Sequence, residues 1–433
     1  MPLEILGQPK INDEENVHLV GHAAAVDAVN SEFYGRYPYP WRPTNFLYPA
    51  NATQTATMLS QNVGSWDCPV LPSRPRIWVA GCGTNQAVVT ALHYPQASIV
   101  GSDLSQPSLD LAQSTLRAMG LRNVELRNES INEASYEGEF DFIVCTGVIH
   151  HNSDPEGTLR VLNRARKPDG LLELMVYNRF HRLMNTAVQK AVRLLRSDDS
   201  DWDSQMELLT DLIQGLPPES EAAMHLSRFI GEPDARIADS LLQPVEHSYT
   251  VESLSACVES CALRILIYHV SEWDKADERS LWNMQWGTPR MQARYDSLAD
   301  LSRWQLTNLL LFDRSPMLWF YLQKKGSNRA VKTEAQITEE FLDRTFRVNR
   351  QTQRCYTLQQ QDDPGTYKLS SRQTPYADHP TGIDRALLLA CEQGASMRAA
   401  FESCGGQPGF HAATRARIHL TTTAYPFLFA RPQ

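Results

Sequence analysis

The segment RIWVAGCGTNQAVVTALHYPQASIVGSD (Arg76–Asp103) decides the fold of this chain. A short apolar run, RIWVAG, ends in glycine and predicts a strand, and GTNQAVVTALHY predicts the helix that follows it. ASIVGSDLS (Ala97–Ser105) predicts a second strand with a polar end. A strand, a glycine-rich turn, a helix and a second strand are the repeating elements of a parallel sheet in an α/β protein.

The turn AGCGTN (Ala80–Asn85) has the features of a ligand-binding loop. Glycine lets backbone approach a ligand because no Cβ intrudes, and the next helix presents free N–H groups and the positive end of its dipole. Asp103 follows Gly83 by twenty residues, where a Rossmann-like sheet holds ribose hydroxyls. Gln86 stands where a dinucleotide motif has its third Gly or Ala, so NAD or FAD is a minor alternative.

Strand and helix patterns alternate through the rest of the central region. A helix is predicted over PSLDLAQSTLRAMG (Pro107–Gly120), and helical runs between residues 180 and 250 predict an insertion that caps the sheet. Further strands are predicted at Asn123–Glu129, Phe140–Val148, Leu171–Tyr177, Arg264–Val270 and Met317–Lys324. The pattern therefore predicts a seven-stranded, Rossmann-like α/β sheet covered by helices on both faces.

Three regions are predicted along the chain. Residues 1–70 form an N-terminal helical and lid segment, 71–325 the sheet domain and 326–433 a small C-terminal accessory domain. In the first region a helix is predicted over His22–Phe33, and the prolines of FYGRYPYPWRP (Phe33–Pro43) predict an extended segment after it.

The C-terminal region begins with the polar linker KKGSNRAVK. Helices are predicted near 335–349 and 383–402, with a hairpin near 354–370. The apolar segment ARIHLTTTAYPFLFARPQ at the end of the chain is predicted to pack as a strand or an extended arm.

Composition and charge exclude several classes of protein. The 433 residues carry a formal charge of −9, from 41 basic and 50 acidic side chains, so nucleic-acid binding, which needs clustered Lys and Arg, is not expected. Neither a membrane span nor a secretory signal is expected, since long uncharged apolar runs and a basic start are missing. The eight cysteines form no CxxC pair, which predicts reduced thiols in a cytoplasmic protein and no metal site.

Four segments resemble the motifs of the class I S-adenosylmethionine-dependent methyltransferases. WVAGCGTN resembles their glycine-rich motif, GSDLSQPSLDLAQ the second motif, and NVELRNESI the strand end that contacts adenine. FDFIVCTGVIHHNSDPEGTLRVLNRARKPDGLLELMVYN resembles their fourth strand, the next helix and the fifth strand. The resemblance covers about residues 33–325. It departs from the family pattern at Val79, Asn85 and Ser130, where an acid, a third glycine and an aspartate are common; Glu129 lies beside the last of these.

The resemblance implies S-adenosyl-L-methionine as the cofactor and assigns roles to residues. Asp103 is expected to bind the ribose, Ser130 and Ile131 the adenine, while Cys145 and Gly147 are expected beside the methionine portion. The complete set of cofactor-binding residues that we predict is Tyr34, Arg36, Tyr37, Ala80, Gly81, Cys82, Gly83, Asp103, Leu104, Ser130, Ile131, Cys145 and Gly147.

Two groups of residues have open alternatives. Tyr34, Arg36 and Tyr37 are predicted to close over the cofactor, through the methionine carboxylate or the sulfonium, or else to anchor the N-terminal helix. His150 and His151 are the candidates for a general base or for orienting the acceptor, or else they shape the loop.

The resemblance implies transfer of a methyl group by in-line displacement to a small-molecule or peptide acceptor. The alternative is a regulatory or scaffold protein that binds S-adenosylmethionine and docks a partner through its C-terminal domain. No NPPY-like segment and no suitable glutamate pair occur, which disfavours nucleobase and arginine acceptors. Residues 326–433 are expected to cover the acceptor site, with contacts in a homo-oligomer as the alternative, and cofactor binding is expected to survive removal of residues 330–433.

Overall fold

A seven-stranded sheet forms the centre of the computed structural model, which describes residues 23–40, 45–49, 54–197, 201–271, 282–312, 314–350, 352–360, 367–374, 380–406, 408–422 and 426–431. The strands, numbered along the chain, are β1 (Asn45–Pro49), β2 (Arg76–Ala80), β3 (Ser98–Asp103), β4 (Val124–Asn128), β5 (Phe140–Thr146), β6 (Arg166–Val176), β7 (Leu263–Tyr268), β8 (Leu318–Lys324), β9 (Phe346–Val348), β10 (Gln353–Gln360), β11 (Tyr367–Thr374) and β12 (Leu428–Ala430).

The order of strands in the sheet is β4-β3-β2-β5-β6-β8-β7. Strands β2 to β6 run parallel, whereas β8 lies between β6 and β7 and is antiparallel to both. Strands β2 and β5 are almost completely buried, as expected for strands covered on both faces. This arrangement confirms the predicted Rossmann-like sheet and brings the carboxyl ends of the parallel strands to one edge.

Helices cover both faces of the sheet and extend beyond it. They are α1 (Ala23–Arg36), α2 (Gln54–Asn62), α3 (Gln86–His93), α4 (Gln106–Met119), α5 (Pro155–Ala165), α6 (Arg179–Leu195), α7 (Trp202–Gly215), α8 (Glu221–Leu226), α9 (Asp234–Leu241), α10 (Val251–Ser260), α11 (Pro289–Asp296), α12 (Asp300–Leu310), α13 (Glu334–Leu342), α14 (Gly382–Glu392), α15 (Met397–Ser403) and α16 (Phe410–Thr421). Both ends of helix α4 are fixed by residues that cap helices. The Ser105 hydroxyl accepts from the Ser108 N–H at its start, and Gly120 ends the helix at φ +68°.

The N-terminal helix is longer than predicted. It continues to Arg36, and the Tyr37 N–H still bonds to the Phe33 carbonyl at 2.8 Å, so Tyr34, Arg36 and Tyr37 do not lie in an extended segment. The apolar side of α1 packs on the helical insertion α6–α9, where Phe33 and Tyr37 join a separate buried cluster. Packing against the insertion therefore extends the helix toward the prolines.

The predicted C-terminal elements are present in part. The hairpin forms from β10 and β11, while residues 361–366 of its turn lie outside the described part. The helix predicted near 335–349 ends at Leu342 and is followed by β9, and the one predicted near 383–402 is split into α14 and α15. Gly394, at φ +93°, lies at this break.

The expected boundary at residue 326 does not coincide with a break in the core. Ile337, Phe341 and Leu428 belong to the same buried cluster as the strands of the central sheet. Strand β1 pairs with β10, so the N-terminal and C-terminal regions also share a small sheet. The division into domains stays a prediction, and the buried cluster of the central sheet continues across the polar stretch 325–333.

The described helices include none that is both long enough and apolar enough to cross a bilayer.

Candidate functional site

A cavity of about 350 Å³ opens at the edge where the parallel strands end. The glycine loop after β2, the ends of β3 and β5 and the segment after β4 form one side of it. Helix α1, the insertion helix α9 and the start of β8 form the other side. The volume lies in the range of small-molecule sites, and its position is the usual one for a ligand on an open α/β sheet.

The loop after β2 needs glycine at two positions. Gly81 has φ +72°, and a Cβ there would lie 2.4 Å from a methyl of Val148. Gly83 has φ +51°, and a Cβ there would lie 2.7 Å from the Tyr39 carbonyl oxygen. Both positions therefore combine a left-handed backbone with close packing, so the loop can turn tightly into α3 with Cys82 buried between them.

Asp103 ends β3 at the floor of the cavity. Its Oδ2 accepts a hydrogen bond from the Gly83 N–H at 2.8 Å, and its Oδ1 accepts from the Ser105 N–H at 2.9 Å. Burial raises the pKa of this carboxyl group, and the N–H groups of Ser105 and Gly83 act in the opposite direction. The carboxylate is thus fixed to the glycine loop and keeps lone pairs for ribose hydroxyls.

The part of the cavity next to Asp103 is where a flat ring is expected, and we call it the ring slot. Leu104 and Ile131 both line the cavity and supply its apolar surface. Ser130 lies at the same end, where its hydroxyl donates to Asp27 Oδ2 at 2.5 Å and accepts from the Asn132 N–H at 3.1 Å. The hydroxyl expected to contact adenine is therefore engaged with helix α1.

Ten predicted residues line this one cavity. They are Tyr34, Gly81, Cys82, Gly83, Asp103, Leu104, Ser130, Ile131, Gly147 and His151. The sequence placed them on five separate segments, and the parallel sheet brings those segments to the same edge because four strands end there.

Two predicted lid residues lie outside the cavity lining. Arg36 is about half exposed and pairs with Asp203 at 2.6 Å instead of reaching a cofactor carboxylate. Tyr37 is buried under the insertion, and its hydroxyl donates to the Trp202 carbonyl at 3.2 Å. Because α1 is a helix here, only one face can point into the cavity, and these two side chains point to the insertion.

Three more predicted residues are buried behind the cavity wall. Ala80 and Cys145 lie in strands of the central core, and burial raises the pKa of the Cys145 thiol to about 12. His150 is fully buried, with its ring 3.9 Å from that of Tyr177, and burial lowers its pKa well below the usual value. Neither His150 nor Cys145 lines the cavity.

His151 is the histidine that faces the cavity. Its Nδ1 lies 2.8 Å from the Val245 carbonyl oxygen, which fixes the proton on that nitrogen. Among the described residues Nε2 is buried and has no hydrogen-bond partner. Burial lowers the pKa of His151 to about 4, so the ring is neutral at physiological pH and offers an acceptor lone pair at Nε2.

Three residues at the far end of the cavity were not predicted from the sequence. Tyr177 follows β6, Trp319 lies near the start of β8, and Asp239 projects from insertion helix α9. The Gln243 amide connects this end, donating to Tyr34 Oη at 2.9 Å and to Asp239 Oδ1 at 3.0 Å. Tyr177 could have been predicted, because it directly follows β6 and the parallel strands end at this edge. Trp319 could not, because it reaches this edge only since β8 is antiparallel.

Comparisons with known proteins give matches over the part of the chain that forms the sheet. A family model described as a methyltransferase domain matches residues 78–172, from β2 through much of β6. An uncharacterized protein of Synechococcus sp. is 27% identical over 308 residues, covering 66% of this chain and 70% of that protein. An uncharacterized protein of Rickettsia prowazekii is 32% identical over 118 residues, but these are only 20% of its length. A ubiquinone biosynthesis O-methyltransferase of Methylococcus capsulatus is 30% identical over 118 residues, and the chain spans about half of it, 49%.

Solved structures support the fold. PKMT2 from Rickettsia typhi in complex with AdoHcy has a TM-score of 0.51 at 14% identity, covering 86% of this chain and 74% of that one. A second structure of PKMT2 gives 0.53 at 16% identity, with 90% and 76% covered. Residues 78–172 thus match a methyltransferase domain, and the solved structures share the fold of the sheet that these residues form.

Proposed function

We propose that this chain transfers a methyl group to a neutral or cationic acceptor, a small molecule or a peptide, bound at the far end of the cavity. The observation that carries the proposal is the continuity of the cavity. It runs from the glycine loop and Asp103, past His151, to Tyr177, Trp319 and Asp239. A cofactor anchored at Asp103 leaves this second part of the same cavity for an acceptor.

The residues present fit S-adenosylmethionine. Asn30 Oδ1 is buried without a hydrogen-bond partner among the described residues. Asn30 lines the cavity and its amide donates to the His151 carbonyl at 2.9 Å, which fixes the free oxygen. A ligand with hydrogen-bond donors, such as hydroxyl or ammonium groups, would satisfy that oxygen.

The charge of the lining restricts the acceptor. Among the described residues, four acids line the cavity and no lysine or arginine does; the acids are Asp27, Asp103, Glu129 and Asp239. Burial raises the pKa of Asp239 to about 6, so this carboxyl group is still largely ionised at neutral pH. An anionic acceptor would meet like charge there, whereas aromatic faces and a carboxylate favour neutral or positive groups.

The residues at the far end position the acceptor. When bound, S-adenosylmethionine supplies a methyl group activated by a sulfonium. Holding a nucleophile in line with that group can account for much of the rate. His151 Nε2 can accept a hydrogen bond from the acceptor, but with a pKa of about 4 it is a weak base. We therefore assign His151 to orientation of the acceptor.

The test is methyl transfer from S-adenosylmethionine carrying a radioactive methyl group. Cell extract is separated into a small-molecule fraction and a peptide fraction, and each is incubated with the wild-type chain or with Asp103→Ala. We expect label in one fraction, dependent on the wild-type chain and strongly reduced with the variant. Equal background labelling with both proteins in every fraction would contradict the proposal.

A further inference from the structure

One face of helix α1 follows the cavity along its length. Asp27, Asn30 and Tyr34 all line it, and their spacing of three and four residues puts them on the same side of a helix. Asp27 contacts Ser130 beside the ring slot, Asn30 contacts the loop of His151, and Tyr34 reaches the far end. Asp27 thus brings a carboxylate from outside the sheet to the slot between Leu104 and Ile131.

The Asp27 carboxylate is held in place by polar groups after β4. In addition to the Ser130 hydroxyl at 2.5 Å, the Asn132 amide lies 3.3 Å from each of its oxygens. Asn132 is itself fixed, since it donates to Asn152 Oδ1 at 2.9 Å and accepts from the Thr158 hydroxyl at 2.7 Å. A carboxylate has about four lone-pair positions, so these bonds leave it able to accept from a ligand.

We propose that Asp27 recognises the exocyclic amino group of the adenine ring of the cofactor. A 6-aminopurine in the slot presents N–H donors at its edge, and an acceptor fixed beside the slot is the matching group. Ser130 is the weaker candidate because its neutral hydroxyl already accepts from the Asn132 N–H, and a carboxylate is a stronger acceptor than a hydroxyl. Glu129 also lines the cavity, and its Oε2 accepts from the Tyr136 hydroxyl at 2.7 Å; it is the competing carboxylate, and the experiment includes it for that reason.

This assignment explains how a serine can stand at the adenine position. The family pattern has a carboxylate there on the segment after β4, and in this chain the carboxylate comes from α1 with Ser130 as its holder. Helix α1 then closes against the cofactor itself. The inference rests on S-adenosylmethionine as the cofactor and does not depend on the acceptor.

The experiment compares two ligands that differ at the 6-position of the purine ring and in the proton that the inosyl ring carries on N1. Calorimetric titration gives Kd values for S-adenosylhomocysteine and for S-inosylhomocysteine, which has a carbonyl oxygen in place of the amino group. Wild-type protein is expected to prefer the adenosyl ligand by about tenfold or more, as for loss of a hydrogen bond to a charged group. Asp27→Asn, which can donate to the inosyl oxygen, is expected to bring this ratio close to one.

Two variants serve as controls. Glu32→Gln changes an exposed acid on the same helix, and Glu129→Gln changes the other carboxylate near the slot; both are expected to keep the wild-type ratio. Because both ligands are measured on one preparation, the ratio is independent of the folded fraction. If Asp27→Asn does not fold, S-adenosylhomocysteine with two methyl groups on the amino nitrogen tests the wild-type protein, which is expected to bind it at least about tenfold more weakly.

The possible outcomes distinguish the role of Asp27 from the identity of the cofactor and from the proposed function. An unchanged ratio in Asp27→Asn, loss of the ratio in Glu129→Gln, or tight binding of the dimethylated ligand overturns the role of Asp27. Failure of wild-type protein to bind S-adenosylhomocysteine overturns this role together with the cofactor. Binding with the expected ratio but without methyl transfer overturns only the proposed function.

Discussion

Asp103 connects the two halves of the cofactor site through a single carboxylate. It accepts from the N–H of Gly83, so it fixes the glycine loop, and it faces the cavity, where ribose hydroxyls are expected. We predict that Asp103→Ala weakens binding of S-adenosylmethionine by about 1–3 kcal/mol, the range for losing a charged hydrogen-bond partner. Calorimetric titration measures this, and wild-type affinity in the variant would contradict the assignment.

Glu173 is a buried acid in the middle of β6. Its Oε1 accepts from the indole N–H of Trp319 at 2.9 Å, and burial raises its pKa from 4.5 to about 7. The folded state therefore favours the protonated form of Glu173. The protonated acid contributes its full stabilisation below about pH 4.5, and this stabilisation is lost as the pH rises through 7. The difference between the pKa values of Glu173 in the unfolded and the folded state corresponds to about 3 kcal/mol of unfolding free energy.

Replacing this acid should change how stability depends on pH. Glu173→Gln stays neutral and can still accept from Trp319, so we expect its free energy of unfolding to match wild type near pH 4.5 and to exceed it by up to about 3 kcal/mol near pH 8. Denaturant titrations at both pH values measure the difference. Glu252→Gln, at an exposed acid of α10, is the control, and an equal pH dependence in both variants would contradict the prediction.

The loop between β2 and α3 is the element most sensitive to side-chain size. Gly83→Val would put a β-branched residue at φ +51° and its Cβ 2.7 Å from the Tyr39 carbonyl. We expect cofactor binding to fall below that of Asp103→Ala, because the N–H bonded to Asp103 would shift as well. Titration with S-adenosylhomocysteine checks the order, and an affinity above that of Asp103→Ala would show that the loop adapts.

Helix α1 is held on the insertion by apolar packing. Phe33 is fully buried, with ring centroids 5.2 Å from Trp202 and 5.5 Å from Tyr37. Arg36 contributes an ion pair that is about half exposed on both sides, and such pairs stabilise little. The apolar contacts therefore hold the face of Asp27, Asn30 and Tyr34 against the cavity.

A matched pair of variants tests this view of the helix. Phe33→Ala should weaken packing of α1 by about 3–5 kcal/mol and reduce affinity for S-adenosylhomocysteine, whereas Arg36→Ala should change that affinity less than about twofold. Hydrogen exchange of α1 and calorimetric titration provide both readouts. A larger loss of affinity in Arg36→Ala than in Phe33→Ala would restore the role for Arg36 that the sequence predicted.

The C-terminal region packs against the N-terminal region and the central sheet. The Gln61 amide donates to the Thr421 carbonyl at 2.8 Å, and Arg344 pairs with Asp67 at 2.6 Å. Glu334 is fully buried, where it accepts from the indole N–H of Trp304 at 3.2 Å. These contacts join residues far apart in the chain, and they accompany the shared hydrophobic core.

Removal of residues 330–433, which the sequence predicted to leave cofactor binding intact, is expected from the structure to destabilise the whole fold. The truncation would expose the core around Leu59 and Trp66 and leave β1 without its partner β10. We expect loss of a cooperative thermal transition and, with it, of cofactor binding. Circular dichroism during heating measures this, and a truncated monomer with wild-type melting and affinity would establish the C-terminal region as a separate domain.

The sequence determined the sheet and its cofactor edge because their signals are local. Apolar runs, the glycine turn and the acid twenty residues later lie in order along the chain, so Gly81, Gly83 and Asp103 could be named without the structure. The periodicity could not give the direction of β8, because an antiparallel strand with two buried faces has the same apolar pattern as a parallel one.

Only the tertiary structure decided which distant side chains complete the site. Asp27 and Tyr34 reach the cavity, while Arg36 does not, because α1 stays helical and packs its other side on the insertion. Asp239 comes from a helix with no motif of its own. Such positions depend on packing between segments separated by more than a hundred residues, so they follow from the burial of apolar faces and leave no trace in any short stretch of sequence.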